Sequence, residues 1–104
     1  MYTFHVMAPK KCRWELHDLL RQIDNLTVYT ELTDSNEPPD LPAATTVVAG
    51  VPGLVASLDA IDRWASDHGD VLIVTAKGTK LWLGSDGRDT VRRRILEDWP
   101  LRWG

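Results

Sequence analysis

The residues best suited to chemistry in this 104-residue chain are one cysteine, three histidines and several closely spaced carboxylates. Nucleophilic catalysis would need Cys12 beside a histidine. His17 follows it by five positions on a predicted helix, which places the two side chains about 140° apart around the helix axis. Cys12 also lies on the apolar stripe of that helix, where a cysteine behaves as a small buried hydrophobe. We therefore predict no catalytic residue here.

Metal binding requires ligands that converge on one point. The histidines His5, His17 and His68 belong to three different predicted elements, and no short ligand spacing occurs. Asp59 and Asp62 share one helix face, but two solvated carboxylates do not by themselves form a site. We expect no metal, no cofactor and no enzymatic activity.

The segment Gly84–Arg88 precedes a predicted helix, and the free N–H groups at a helix N-terminus favour anions. It lacks the glycine and lysine spacing of a P-loop. Asp86 and Asp89 already place negative charge at this point. We expect one of these aspartates to cap the helix by accepting from its free N–H groups.

Charge is distributed unevenly along the chain. The first 70 residues carry eleven acidic and five basic side chains, and the remainder carry four and seven. A basic patch of this kind can attract nucleic acid, phosphate or an acidic protein, and an anion site would use Lys77, Lys80, Arg88 and Arg94. The net charge of −3 and the pI near 5.5 favour a solvated helix face over a dedicated nucleic-acid binder.

Length and composition indicate one globular domain spanning residues 1–104. The chain is 43% hydrophobic and 26% charged, which is ordinary for a folded protein. No apolar run approaches the ~18 residues of a membrane span, and no signal peptide is visible. The single cysteine excludes an internal disulfide. We expect a cytoplasmic protein with no membrane contact.

Hydrophobic periodicity places the elements of the first half. Alternation over residues 2–7 and 26–32 predicts two half-polar strands. Between them, a helix is expected from Pro9 to about Asp24, with an apolar stripe from Leu16 to Ile23. Residues 33–50 are expected to form a long and mobile loop, in which residues 45–49 are a candidate short edge strand.

The second half begins with a helix over residues 50–68, for which Gly69 is the expected cap. The apolar run over residues 71–76 predicts a buried strand, followed by a hairpin to residues 80–84. A last helix then runs to about Trp99, and residues 100–104 form a C-terminal tail. The five tryptophans have separate expected environments: Trp64, Trp82 and Trp99 near the core, Trp14 partly exposed, and Trp103 in the tail.

These elements predict a small α/β domain of mixed α+β type, in the order β-α-β-α-β-β-α. Strands separated by helices favour parallel pairing, and the hairpin adds an antiparallel edge. We expect a mixed four-stranded sheet with helices mainly on one face, because the first two strands each have a polar side. The alternative is a three-layer doubly wound sheet.

The segments LVASLDAIDRWASDHG and VLIVTAKGTKLWLGSDG, followed by a short charged helix, resemble the effector-associated constant-component domains of bacterial multi-component conflict systems. The resemblance covers about residues 47–99 and rests on apolar spacing with a glycine hairpin. It implies a small non-catalytic α/β module that joins a sensor or switch to a toxic effector. It carries over no functional residue.

The sequence therefore predicts a non-catalytic interaction or adaptor module whose partner is another protein, an effector or a sensor. Arg92, Arg93, Trp99 and Trp103 are the predicted binding residues, since Trp and Arg are favoured interface anchors. Two alternatives remain open: a nucleic-acid or anion-binding domain, and an immunity or antitoxin-type inhibitor of an enzyme. Exposed strand edges would also allow a homodimer, for which the sequence gives no register.

Overall fold

The computed structural model describes residues 1–30 and 42–98, in which strands and helices interleave along the chain. The strands are β1 (Tyr2–Pro9), β2 (Leu26–Thr30), β3 (Pro42–Ala49), β4 (Leu72–Thr75) and β5 (Lys80–Trp82). A 3-10 turn over Lys10–Cys12 precedes α1 (Arg13–Arg21), and the other helices are α2 (Val51–His68), α3 (Leu83–Asp86) and α4 (Arg88–Glu97).

The five strands form one sheet in the order β2-β3-β1-β4-β5, and every neighbouring pair is antiparallel. The expected small mixed α+β domain is confirmed. The expected four-stranded sheet with parallel pairs is wrong, because β3 inserts between β1 and β2, and β1 inserts between β3 and β4. The first four strands thus have the split β-α-β arrangement of ferredoxin-like folds.

Strand β3 is an interior strand, where a loop through residue 50 and a short edge strand were expected. Its full length pairs with β1, from Tyr2 opposite Ala49 to Pro9 opposite Pro42. Its other side pairs with β2, from Leu26 opposite Ala49 to Thr30 opposite Thr45. The remainder of the predicted loop, residues 33–41, lies outside the described residues, as do residues 31 and 32 of the predicted second strand.

The core lies between the sheet and the helices. Phe4, Val6, Val47 and Ile73 point from the strands into it and are fully buried. The helices bring a matching set of buried side chains: Leu16, Leu20, Leu54, Leu58, Ile61, Val91 and Ile95. Since every one of these strand residues lies on the same side of the pleat, the helices that meet them cover one face of the sheet.

Local signals at the helix ends explain two further differences from expectation. Pro9 ends β1, so α1 begins later than the predicted proline start. Neither Asp86 nor Asp89 caps α4: its N-cap is Gly87, with no side-chain cap. The helix predicted over residues 50–68 is confirmed as α2, and Gly69 ends it with a φ of 98° that glycine adopts without strain.

Within the described residues, no helix is both long and apolar enough to cross a membrane.

Candidate binding surface

The other side of the sheet is covered by no helix of the described chain, and we call it the open face. The strand registers place its side chains in rows across the sheet. One row runs Tyr29, Thr46, His5, Val74, Lys80; the next runs Ala44, Met7, Leu72, Trp82; and Thr27, Val48 and Thr3 form the row on the other side. This is the half-polar side expected from the alternation in β1 and β2.

The open face combines exposed aromatic rings with very little charge. Tyr29 on edge strand β2 is 61% exposed, and Trp82 on the opposite edge strand β5 is 50% exposed. Trp82 was expected near the core and lies here instead, because its strand position shares a side with Leu72. Lys80 is the one fully charged side chain in the three rows, and no carboxylate belongs to them.

The centre of the open face is held by a side-chain hydrogen bond. The His5 Nδ1 and Thr46 Oγ1 atoms lie 2.8 Å apart across the β1–β3 pair. Apolar neighbours surround this polar pair, including Val74 beside His5 and Val48 beside Thr3. Low charge together with exposed aromatic rings is typical of the core of a protein interface.

Sequence reasoning did not select this surface as a site, although its signal was present. Thr27 and Tyr29 alternate with Leu26 and Val28, and the polar members of such a pattern mark the side away from the core. What the alternation could not show is that five strands join their polar sides into one continuous face.

The arginines of α4 do not gather into one basic patch. Arg88 bonds to Asp59 and contacts Asp62 of α2, with the Nε to Oδ2 distance to Asp62 at 3.2 Å. Arg92 lies 3.7 Å from Asp89 of its own helix. Each of these two arginines therefore lies within 4 Å of a carboxylate.

Arg94 likewise approaches carboxylates, at 3.6 Å from Glu97 and 3.9 Å from Asp98. Arg93 is exposed and lines a shallow groove of about 410 Å³ between α4 and Leu81 of β5. The other two basic candidates are separated from α4: Lys77 is in the β4–β5 turn and Lys80 is on the open face. Trp99 and Trp103, the other predicted partner-binding residues, lie outside the described residues.

Asp98 fastens the end of α4 to the β4–β5 hairpin. It is 7% exposed, and its Oδ2 accepts hydrogen bonds from the hydroxyls of Thr75 at 2.6 Å and Thr79 at 2.5 Å. These bonds, together with the positive charges of Arg94 and Lys77, lower the pKa of Asp98 below its ordinary value of 3.8. The Asp98 carboxylate therefore stabilises the packing of the end of α4 against the β4–β5 hairpin.

Asp70 plays a similar part at the start of β4. Its Oδ1 accepts from the N–H groups of Gly84 at 2.6 Å and Val71 at 2.9 Å, and its Oδ2 accepts from the N–H and hydroxyl of Ser85. Burial by itself raises the pKa of Asp70, but these hydrogen bonds outweigh that effect and lower it below 3.8. The group ties β4 to α3.

A third polar cluster joins α1 to α2. Trp64 donates its Nε1–H to Glu15 Oε1 at 3.1 Å, and the same oxygen lies 2.9 Å from His68 Nε2. The other ring nitrogen of His68 lies 2.9 Å from the carbonyl oxygen of Trp64, and the two rings stack with centroids 4.2 Å apart. The Nε2 atom of His68 therefore helps link α2 to α1, while its Nδ1 atom is engaged within α2.

The cysteine and the possible metal ligands do not come together into a site within the described residues. Cys12 is half-buried and packs against the core cluster. Within residues 1–30 and 42–98, no group of three or more His, Cys, Asp or Glu side chains could hold a metal ion. Comparisons with protein-family models, curated proteins and solved structures found no match to this chain.

Proposed function

We propose that this chain is a non-catalytic interaction module, an adaptor that binds another protein through the open face of its sheet. The observation that carries the proposal is the open face itself, with exposed Tyr29 and Trp82 at its two edges and a mixture of apolar and uncharged polar side chains between them. Apolar surface in contact with water is stabilised by a partner that covers it.

The small charge of the open face favours a protein over a polyanion. Nucleic-acid affinity depends on many Lys and Arg contacts to phosphates. The three rows of the open face contain Lys80 alone as a full charge, while Arg88, Arg92 and Arg94 face carboxylates on the helix side. A protein surface of low charge is the better complement.

The resemblance to effector-associated constant-component domains supplies the kind of partner, namely an effector enzyme or a sensor of a bacterial conflict system. An immunity or antitoxin role uses the same surface with an enzyme as the covered partner. These roles differ in the identity of the partner, and the neighbouring genes discriminate between them.

Affinity capture from the native cells, compared across three variants, tests the proposal. Lys80→Ser with Trp82→Ser alters the open face, Arg92→Ser with Arg93→Ser alters α4, and Val55→Ser is the matched control on the outer side of α2, where Val55 is 41% exposed. We expect a stoichiometric protein that the wild type, the α4 variant and the control retain and the open-face variant loses. Equal capture by the open-face variant, or no partner at all, would contradict the proposal.

A second candidate function is single-stranded nucleic-acid binding, favoured by the presence of Tyr29, Trp82 and Lys80 on one face. Aromatic rings stack on bases, and a lysine contacts the backbone phosphates. Titration with single-stranded DNA and RNA at low and moderate salt separates this candidate from the first. Binding that weakens steeply with salt and is lost in the Lys80→Ser/Trp82→Ser variant would favour it.

A further inference from the structure

The two edge strands of the sheet, β5 and β2, differ in how well they are protected from pairing with a further strand. Strand β5 has three residues, and α3 follows it directly. The backbone N–H of Trp82 donates to Asp86 Oδ2 at 2.8 Å, and Lys80 adds a charge to the same strand. Short length, a charged residue and an occupied N–H group each discourage pairing with a further strand.

Within residues 1–30 and 42–98, strand β2 has none of these protections. Its five residues, LTVYT, contain no charge and no proline. Among the described residues, β3 is its one neighbour in the sheet. Every second residue of an edge strand directs its N–H and C=O groups away from the sheet, where another strand can bond to them.

Exposed aromatic side chains lie on both sides of this edge. Tyr29 projects from β2 onto the open face. On the helix side, His17 Nδ1 lies 2.6 Å from Thr30 Oγ1, and the ring of Trp14 packs edge-on against His17 with centroids 5.7 Å apart. Trp14 is 48% exposed. A strand added beside β2 would run between these two aromatic groups and cover part of each.

We propose that β2 pairs with β2 of a second copy of this chain, antiparallel and about a two-fold axis at Val28. This register aligns all five residues: Val28 faces Val28, Leu26 faces Thr30, and Thr27 faces Tyr29 of the other copy. The result is one continuous sheet of ten strands, five from each copy. Every contact away from the axis occurs twice, as a two-fold interface requires.

The side-chain pattern of β2 makes it complementary to itself. Antiparallel pairing matches even positions with even positions and odd with odd, so both helix layers stay on one side and both open faces on the other. The helix side gains contacts among Val28, Leu26 and Thr30, and the open side gains two pairs of Tyr29 with Thr27. No like charges meet within the paired strands, since residues 26–30 carry none.

The pairing also enlarges the surface in the proposed function, because the two open faces become contiguous. The dimer does not depend on that function, however. Five residue pairs form a small interface compared with the standard ~800 Å² per partner. We therefore expect a reversible dimer whose population rises with protein concentration.

A disulfide trap tests the register. In a Cys12→Ser background, Val28→Cys places two thiols across the two-fold axis within reach of each other, and Lys80→Cys is the control on the protected edge strand β5. Under mild oxidation we expect the Val28→Cys protein to form a covalent dimer much faster than the control. Equal rates for the two proteins would overturn the register.

Sedimentation equilibrium tests the dimer itself without a new cysteine. The double variant Thr27→Lys/Tyr29→Lys sets lysines opposite lysines in both Thr27–Tyr29 pairs, which should raise the dimer dissociation constant about tenfold. Trp82→Lys adds a charge to the other edge and should leave the constant unchanged. A wild type that stays monomeric at its highest soluble concentration, or equal weakening by Trp82→Lys, would overturn the proposal. Neither result depends on whether the open face captures a protein partner.

Discussion

Replacing Gly53 by alanine tests how tightly α2 is packed onto the edge of the sheet. A Cβ atom at this position would lie 3.1 Å from Ala49 Cβ, 3.3 Å from the carbonyl oxygen of Asn25 and 3.4 Å from Leu26 Cδ1. Ordinary carbon contacts need about 3.5–4.0 Å. Two of the three neighbours are a backbone atom and a Cβ atom, which cannot rotate away.

The sign of the effect follows from two opposing magnitudes. At an open helix position, alanine stabilises a protein by up to ~1 kcal/mol relative to glycine. Overpacking against rigid neighbours costs ~1–3 kcal/mol. We therefore expect Gly53→Ala to lower the free energy of unfolding by about 1 kcal/mol and the melting temperature by ~4–5 °C.

Urea unfolding followed by circular dichroism measures this change, and the variant Ala49→Gly supplies the control. Removing the Ala49 Cβ relieves the shortest contact, so Gly53→Ala should cost less in the Ala49→Gly background than in the wild type. A Gly53→Ala protein as stable as the wild type would refute the packing argument, as would effects of the two substitutions that add within ~0.5 kcal/mol.

Three further predictions concern the core, a charge pair and acid stability. Leu58→Ala should cost ~2–5 kcal/mol because Leu58 is 2% exposed, whereas Val55→Ala on the same helix, 41% exposed, should change stability by ~0.5 kcal/mol or less in urea melts. The partly exposed pair of Asp59 and Arg88 should show a coupling energy below ~1 kcal/mol in a double-mutant cycle, decreasing at high salt. The lowered pKa of Asp98 means that its stabilisation is present above pH ~4 and is lost as the pH falls through the folded-state value. Asp98→Asn should therefore lower the urea midpoint at neutral pH, and its difference from the wild type should shrink in strong acid; a pH-independent difference would contradict the assigned role.

The sequence predicted most elements but not their arrangement. Amphipathic periodicity located α2 to within one residue, since its apolar stripe is long and Gly69 marks its end. The predicted parallel pairing of β1 with β2 was wrong. The two strands do run parallel, as their helical connection favours, but β3 lies between them in the sheet. Adjacency is decided by where β3 inserts. Residues 45–49 were predicted only as a short edge strand, because the proline- and acid-rich residues before them favoured a loop.

The candidate surface was predictable in part. Alternation in β1 and β2 indicated an uncovered polar side, but Trp82 was expected in the core because it is large and apolar. Side-chain direction in a short strand depends on register with β4, which local sequence does not specify. Likewise, the arginines of α4 form a cluster in sequence, while the fold brings the carboxylates of α2 to Arg88.

The position of β1 has a consequence for how the chain acquires its structure during synthesis. Of the five described strands, β1 is synthesised first and lies in the centre of the sheet, and both its sides are paired only when Thr45 lies opposite Val6 and Thr75 lies opposite Phe4. Folding must therefore wait for most of the chain and close large loops, which slows it. For the same reason, deleting residues 2–9 would remove the middle strand and divide the sheet into two parts.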